Sequence, residues 1–396
     1  MSSSKKIIFE YFFVSLIILL FGTIYLFFQP QIIAGNGYGW DGIHYAEMFK
    51  NITNNNNSII GFPFCNRIGT PLIASFLQIN DISLSFKIVN TFFSFIFSVT
   101  IYVISRYVGF NIYYSLIALF LTFGLFFSPL RFTPYYPVYS DPAFLALLSI
   151  AFLFLIKNKY GLSFFMLFLA YPFREATIYV LPVFLIFAIY LEGINKKTLI
   201  KFSISLIGVL LTKIIIINYM DCNGSQLKTA LVWLYKGLSN PERFISVIAA
   251  ISMTAAPLVY INNISNLTKI EKISMIGFLL SVIFAFFGGS DSTRIFYSFF
   301  PIYFILIIYI IRNKGYVFSL IILFGYMITN RFATKILEPF NYQPTKDEYG
   351  LFWQFPDHAR PEIAILILKV WTILFMLYNK FKLNNNSFKK NDSSPL

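Results

Sequence analysis

A chain of 396 residues that is 57% hydrophobic and only 12% charged, with mean hydropathy +0.70, carries more apolar surface than a soluble fold of its size can bury. Lipid is therefore its expected solvent. A formal charge of +14 would suggest nucleic acid in a soluble protein, but here the lysines fall in short loops between apolar runs, the positive-inside signature, and no nucleic-acid partner is expected.

The first segment, IIFEYFFVSLIILLFGTIYLFF, runs for about 22 residues, enough to cross a ~30 Å hydrocarbon layer at 1.5 Å per residue. Lys5 and Lys6 before it resemble the flank of a signal peptide. The apolar run is too long for that and no small-residue cleavage site follows, so a retained helix is expected. Apolar runs separated by polar breaks then predict about twelve crossings, near 7–28, 82–105, 112–129, 143–156, 161–173, 177–192, 200–218, 244–261, 273–288, 295–311, 315–330 and 361–378. The fourth and fifth are short, and would be tilted, broken or re-entrant. The expected class is an all-α polytopic membrane protein: one transmembrane domain over 1–378, with a polar Lys/Asn-rich tail over 379–396.

With the N-terminus inside, alternation places Arg106, Lys157, Lys159, Lys196, Lys197, Lys269, Lys272, Arg312, Lys314 and the tail in the cytoplasm. The long loops 29–81, 219–243 and 331–360 then face outward, in a multi-pass protein of the plasma (inner) membrane with both termini cytoplasmic. Seven of the nine arginines fall outside: Arg67, Arg131, Arg174, Arg243, Arg294, Arg331 and Arg360. Lysine inside sets orientation, but arginine outside runs against that bias. The planar guanidinium fork suits phosphate, so outer arginines beside carboxylates point to an extracytoplasmic site for a phosphorylated substrate. The alternative for each is snorkelling to lipid headgroups.

Four outer stretches carry the candidate chemistry. In GNGYGWDGIHYAEMFKN (35–51), glycines suit a loop and DGIHYAEMFK has the pattern of a short amphipathic helix in the first outer loop. Asp41 would cap that helix, or stand at the mouth of the bundle to accept a hydroxyl proton or hold a divalent cation, with His44 and Tyr45 one turn on. In PYYPVYSDP (134–142), Asp141 is an equally good helix cap or a second carboxylate. In YPFREATIYVLP, Arg174 and Glu175 occupy a short outer turn, either as a structural pair or as functional groups. In FFGGSDSTRIFYSFFP (286–301), two glycines break one helix, and Asp291 and Arg294 open the next as an anion site.

These stretches resemble the motifs of the GT-C glycosyltransferases, in particular their bacterial and PIG-V-like members. GWDGIHY is similar to the Asp-plus-aromatic motif of the first outer loop, and NRIGTPLIA (66–74) to the R-x-x-x-P-L-x-A stretch that follows it. FREATIYVLP and GGSDSTRIFYSFFP resemble two later motifs, so the likeness runs in order to about residue 301. Many members carry two adjacent acids or an acid-x-acid at the first motif, where Asp41 is here followed by Gly42, and no large soluble C-terminal domain is expected, which disfavours the protein-glycosylating oligosaccharyltransferase branch.

The resemblance implies transfer of a sugar from a polyprenyl-phosphate donor on the outer leaflet to the hydroxyl of a lipid or glycan acceptor, by inverting displacement. It implies Asp41 as proton acceptor, His44 and Glu175 as catalytic helpers, and Tyr45, Arg67, Asp141, Arg174, Asp291 and Arg294 as substrate-binding groups. A divalent cation (Mg or Mn) would fall to Asp41 or Asp141. The other functional classes considered are a transporter or flippase of lipid-linked saccharides, and a non-catalytic envelope-glycan assembly protein. Cys65 and Cys222 have no metal-ligand spacing. Both fall outside, where a bridge would tie the loop after Asp41 to the 219–243 segment; two buried free thiols are the alternative.

Overall fold

The computed structural model describes residues 3–54, 58–220, 222, 224–261, 264–287, 292–332, 334–336 and 361–391. Among them every regular element is helical. The helices are α1 (Ser3–Phe28), α2 (Gly42–Asn54), α3 (Gly69–Phe76), α4 (Ile82–Tyr107), α5 (Ile112–Gly124), α6 (Pro129–Phe132), α7 (Asp141–Ile156), α8 (Tyr160–Ala170) and α9 (Thr177–Glu192). They continue as α10 (Lys196–Met220), α11 (Gln226–Ser239), α12 (Pro241–Ala255), α13 (Lys269–Phe287), α14 (Ser292–Tyr297), α15 (Phe300–Lys314), α16 (Tyr316–Thr329) and α17 (Pro361–Asn391).

Among the described residues five segments are long and apolar enough to cross a membrane: Ile7–Phe28, Ile82–Tyr107, Ile112–Phe132, Lys196–Met220 and Glu362–Leu383. Five more apolar helices are shorter, at 10–17 residues. The expectation of about twelve full spans is thus met only as a set of apolar helices. The run at 112–129 is interrupted after Gly124 and resumes as the four-residue α6 behind Pro129. The run at 295–311 breaks between Tyr297 and Phe300, where Pro301 restarts the helix within its first turn. A 16-residue helix such as α7 rises only about 24 Å, short of a ~30 Å layer.

Burial separates two kinds of helix. α15 is apolar all round and buried along almost its whole length, from Phe300 to Ile311, which marks it as the central helix. In α1 and α10 only 17% of the most apolar window is buried, so most of their apolar surface is left uncovered. α2 has the expected amphipathic pattern, burying Gly42, Tyr45, Ala46 and Phe49 at helical spacing.

Contacts between helix ends define two poles. At one, Glu10 of α1 pairs with Arg106 at the end of α4 at 2.7 Å, Arg312 lies over the Phe110 ring at 5.3 Å, and Lys269 donates to the Leu191 carbonyl at 3.3 Å. At the other lie the end of α1, α2, α3, α6 and the starts of α7, α9 and α15. The lysine-rich turns gather at the first pole and the motif residues at the second.

Candidate active site

Backbone chemistry assembles the second pole. The turn before Asp41 passes directly over the loop that precedes Asp141. Gly39 has φ +79, and a Cβ there would stand 2.0 Å from the Tyr136 ring. The Gly42 amide donates to the Tyr136 hydroxyl at 2.9 Å, and the Ile32 amide to the Tyr135 carbonyl at 2.8 Å. From the other side Asn90, buried in α4, donates to the carbonyls of Pro137 and Tyr139 at 2.7 and 2.9 Å. Loop 134–140 is therefore clamped, and Asp41 and Asp141 are carried toward one another.

Arg294, in α14, stands between them. Its Nη2 donates to Asp41 Oδ2 at 3.0 Å, and its Nε lies 3.4 Å from Asp141 Oδ2. The other oxygen of Asp141 accepts from Arg174. Beside this chain, Arg67 forks onto both oxygens of Glu175 at 2.6 and 2.7 Å and donates its remaining arm to the Tyr45 hydroxyl at 3.1 Å. Ser140 Oγ reaches the same hydroxyl at 3.4 Å. Asp41, Tyr45, Arg67, Asp141, Arg174, Glu175 and Arg294 thus share one network, drawn from five separated stretches of chain. Three carboxylates meet three guanidiniums, so the cluster is neutral as a unit.

The members differ in access. Side-chain exposure is 28% for Asp41, 14% for Glu175 and 10% for Asp141. Asp41 is therefore the acid a solute reaches first. Burial pushes the Glu175 carboxyl up, but the charge of Arg67, its hydrogen bonds and the charge of Arg174 outweigh it and hold Glu175 below the usual carboxylate range. Burial likewise disfavours the Arg67 cation, and Glu175 and Tyr45 more than compensate, so it stays charged. Tyr136 is pushed upward by burial and by the nearby Asp41 charge, which keeps its hydroxyl protonated.

Several expectations change. Arg174 and Glu175 do not pair with each other: adjacent in sequence, they diverge to Asp141 and Arg67. Asp141 is the first residue of α7 rather than its cap, and its carboxylate serves the two arginines. His44 stacks on Phe64 at 4.3 Å and 12°, with the Arg67 guanidinium 5.9 Å from the same ring. Arg131 does not join the cluster of Arg67, Arg174 and Arg294. It is 1% exposed and donates to the carbonyls of Gly124, Asn330, Arg331 and Thr334, so it ties α6 to the end of α16. Asp291 and Arg360 lie outside the described residues, as does most of the 331–360 loop.

Among the described residues no group of three or more His, Cys, Asp or Glu side chains is placed to hold a metal. Asp41 and Asp141 share a guanidinium instead, a poor match for a hard cation that takes six or more oxygens. Cys65 and Cys222 form a disulfide with Cα atoms 5.7 Å apart, tying the turn before Arg67 to the end of α10.

The residues that motif reading passed over are Tyr136, Ser140, Phe64 and Asn90. Asn90 alone had a signal: an amide inside an apolar run must find buried partners. No protein-family model, no curated protein and no solved structure matches the chain.

Proposed function

We propose that the chain is a GT-C-like glycosyltransferase of the plasma (inner) membrane, moving a sugar from a polyprenyl-phosphate donor to the hydroxyl of a lipid or glycan acceptor. The ion-pair pole would be the extracytoplasmic face and the lysine-rich pole the cytoplasmic one. The observation that carries this reading is the convergence of Asp41, Asp141 and Glu175 with Arg67, Arg174 and Arg294 at one pole. Transfer from a phosphate needs both signs of charge in one place: an acceptor for the hydroxyl proton and fixed cations for the departing phosphate.

Asp41 is the reachable carboxylate and takes the proton as the acceptor oxygen bonds to the anomeric carbon. An ordinary Asp is ionised at pH 7 and weakly basic, so proton transfer comes late and positioning supplies much of the rate. The bond from that carbon to the phosphate oxygen breaks on the opposite side, inverting the centre. Arg294 shifts from the carboxylates toward the phosphate as its charge grows. Glu175, with both oxygens on Arg67, holds that guanidinium in place; Tyr45 fixes its third arm. His44 and Phe64 form an aromatic edge beside the acceptor position. No step is routed through a metal.

Asp41→Asn tests the reading, since it keeps shape and removes the base. Turnover should fall by about 10²-fold or more, and lipid extracts of cells carrying the variant should accumulate a polyprenyl-phosphate sugar. Normal transfer with no accumulating lipid would leave Asp41 as a structural partner of Arg294.

A further inference from the structure

At the lysine-rich pole, away from the ion-pair network, a cavity of about 270 Å³ opens between the end of α15, the turn after α12 and the far part of α17. α15 separates the two sites: its 15 residues rise about 22 Å from Phe300, which follows the α14 helix that carries Arg294, to Lys314 at the cavity. Lys314, Lys382, Asn313, Tyr260, Tyr309 and Tyr378 line it, together with two isoleucines. Among the described residues, two cations and no carboxylate face this space. The Lys314 ammonium lies 5.1 Å from the Tyr260 ring centroid. The walls are braced: the Tyr260 hydroxyl donates to Asn379 Oδ1 at 3.2 Å, and the Tyr378 hydroxyl to the Lys314 carbonyl at 3.5 Å.

Contrast the neighbouring cavity at the same pole, where Arg106 is already paired with Glu10. Beside that ion pair Lys157 is the remaining cation of its lining, whereas the cavity beside Lys314 presents two lysines and, among the described residues, no carboxylate. Immediate chain neighbours of its lining residues are apolar and exposed: Val259 at 70%, Leu377 at 56% and Leu383 at 69%. A basic cup rimmed by such surface fits a molecule with an anionic head and long apolar tails. The volume lies just under the ~300–1,000 Å³ of small-molecule pockets, room for a headgroup with its tails outside.

We propose that this cavity binds the phosphate of an anionic glycerophospholipid of the cytoplasmic leaflet, with Lys314 and Lys382 on the phosphate, the Tyr309 hydroxyl and Asn313 around the headgroup, and the acyl chains along the exposed residues of α17. Basic pockets between membrane helices on that side recognise lipid headgroups in this way. The choice of leaflet rests on the orientation proposed above, but the site is independent of the transfer chemistry and holds whether or not the other pole is catalytic.

The test is binding of dioleoyl phosphatidylglycerol to the detergent-purified full chain, followed by native mass spectrometry beside dioleoyl phosphatidylcholine and inorganic phosphate. The wild type should retain phosphatidylglycerol in preference to phosphatidylcholine. Each lysine near an anionic headgroup is worth about fivefold in affinity, so Lys314→Gln with Lys382→Gln should weaken retention by about 25-fold. The charge-keeping pair Lys314→Arg with Lys382→Arg should retain the lipid. So should Lys196→Gln with Lys197→Gln, which removes two exposed lysines from the start of α10. If the double glutamine variant fails to fold, Lys382→Gln alone, at an exposed position, should show the fivefold loss. Equal retention of phosphatidylglycerol by the glutamine variants, or an equal loss in the α10 control, overturns the site. Equal wild-type binding of phosphatidylcholine overturns the selectivity. Displacement of the lipid by equimolar inorganic phosphate makes it a free-phosphate site and overturns the lipid assignment.

Discussion

Arg294 holds two carboxylates through two different nitrogens, Nη2 to Asp41 and Nε toward Asp141. An ammonium keeps the charge and cannot reproduce that fork. Arg294→Lys should therefore raise KM for a polyprenyl-phosphate sugar by roughly tenfold, the weight of one charge-assisted hydrogen bond, with turnover at saturation less affected. Unchanged kinetics would make Arg294 a structural tie between α14 and the Asp41 turn. Glu175 allows a test by pH. Its folded pKa lies below the unfolded value of about 4.3, so its ionised form stabilises the fold above that pH, and the contribution is lost as pH falls through the folded pKa. Glu175→Gln leaves Arg67 facing a neutral amide and should cost about 3 kcal/mol at pH 7. At pH 3 the gap between variant and wild type should shrink. A gap in thermal midpoint that is the same at both values would contradict the pairing with Arg67.

The elements around these residues are short and irregular, and most of their order comes from side chains that reach into loops. Asn90 holds loop 134–140 from within α4, and Tyr136 catches the first amide of α2. The disulfide works at the same scale, joining positions 157 apart and fixing the turn that presents Arg67. Closing so long a loop is worth about 3 kcal/mol or more. Cys65→Ser with Cys222→Ser should lower stability by that order and loosen Arg67 from Glu175. The bridge itself is checked by alkylating unreduced, denatured protein and weighing it; two alkylated cysteines in fresh material would rule it out. The amphipathic face of α2 was legible in DGIHYAEMFK, because a single helix turns a local pattern directly into a buried face. The breaks inside α5–α6 and α14–α15 were not, since both lie in runs apolar enough to hide them.

For the whole molecule, the separation of the two poles is the property that matters most. Lysines and the Glu10–Arg106 pair mark one, the carboxylate–guanidinium network the other. A cysteine introduced at Asn36, which is exposed in the turn before Asp41, should react with an impermeant thiol reagent added outside cells. One at Asn195, between α9 and α10, should not. The native cysteines are bridged and give no background. Labelling of Asn195 in sealed cells would reverse the orientation, moving the network to the cytoplasm and the lysine-lined cavity outside.

Composition by itself determined the apolar character of this chain and the helical one of its described residues, because hydropathy and the cost of unpaired backbone in lipid favour helices for such a sequence. The motif residues were visible too, as ionisable groups in a sequence that otherwise avoids charge. Their partners were decided only by tertiary structure. Asp41 and Arg294 are 253 positions apart, and neighbours such as Arg174 and Glu175 separate to different ions because each side chain answers to what packs against it. The same holds for Arg131, which the charge pattern groups with the expected phosphate ligands and which the structure buries as a helix-end clamp. Charge and hydropathy act locally along a chain, whereas pairing depends on distances that exist only once the helices have packed.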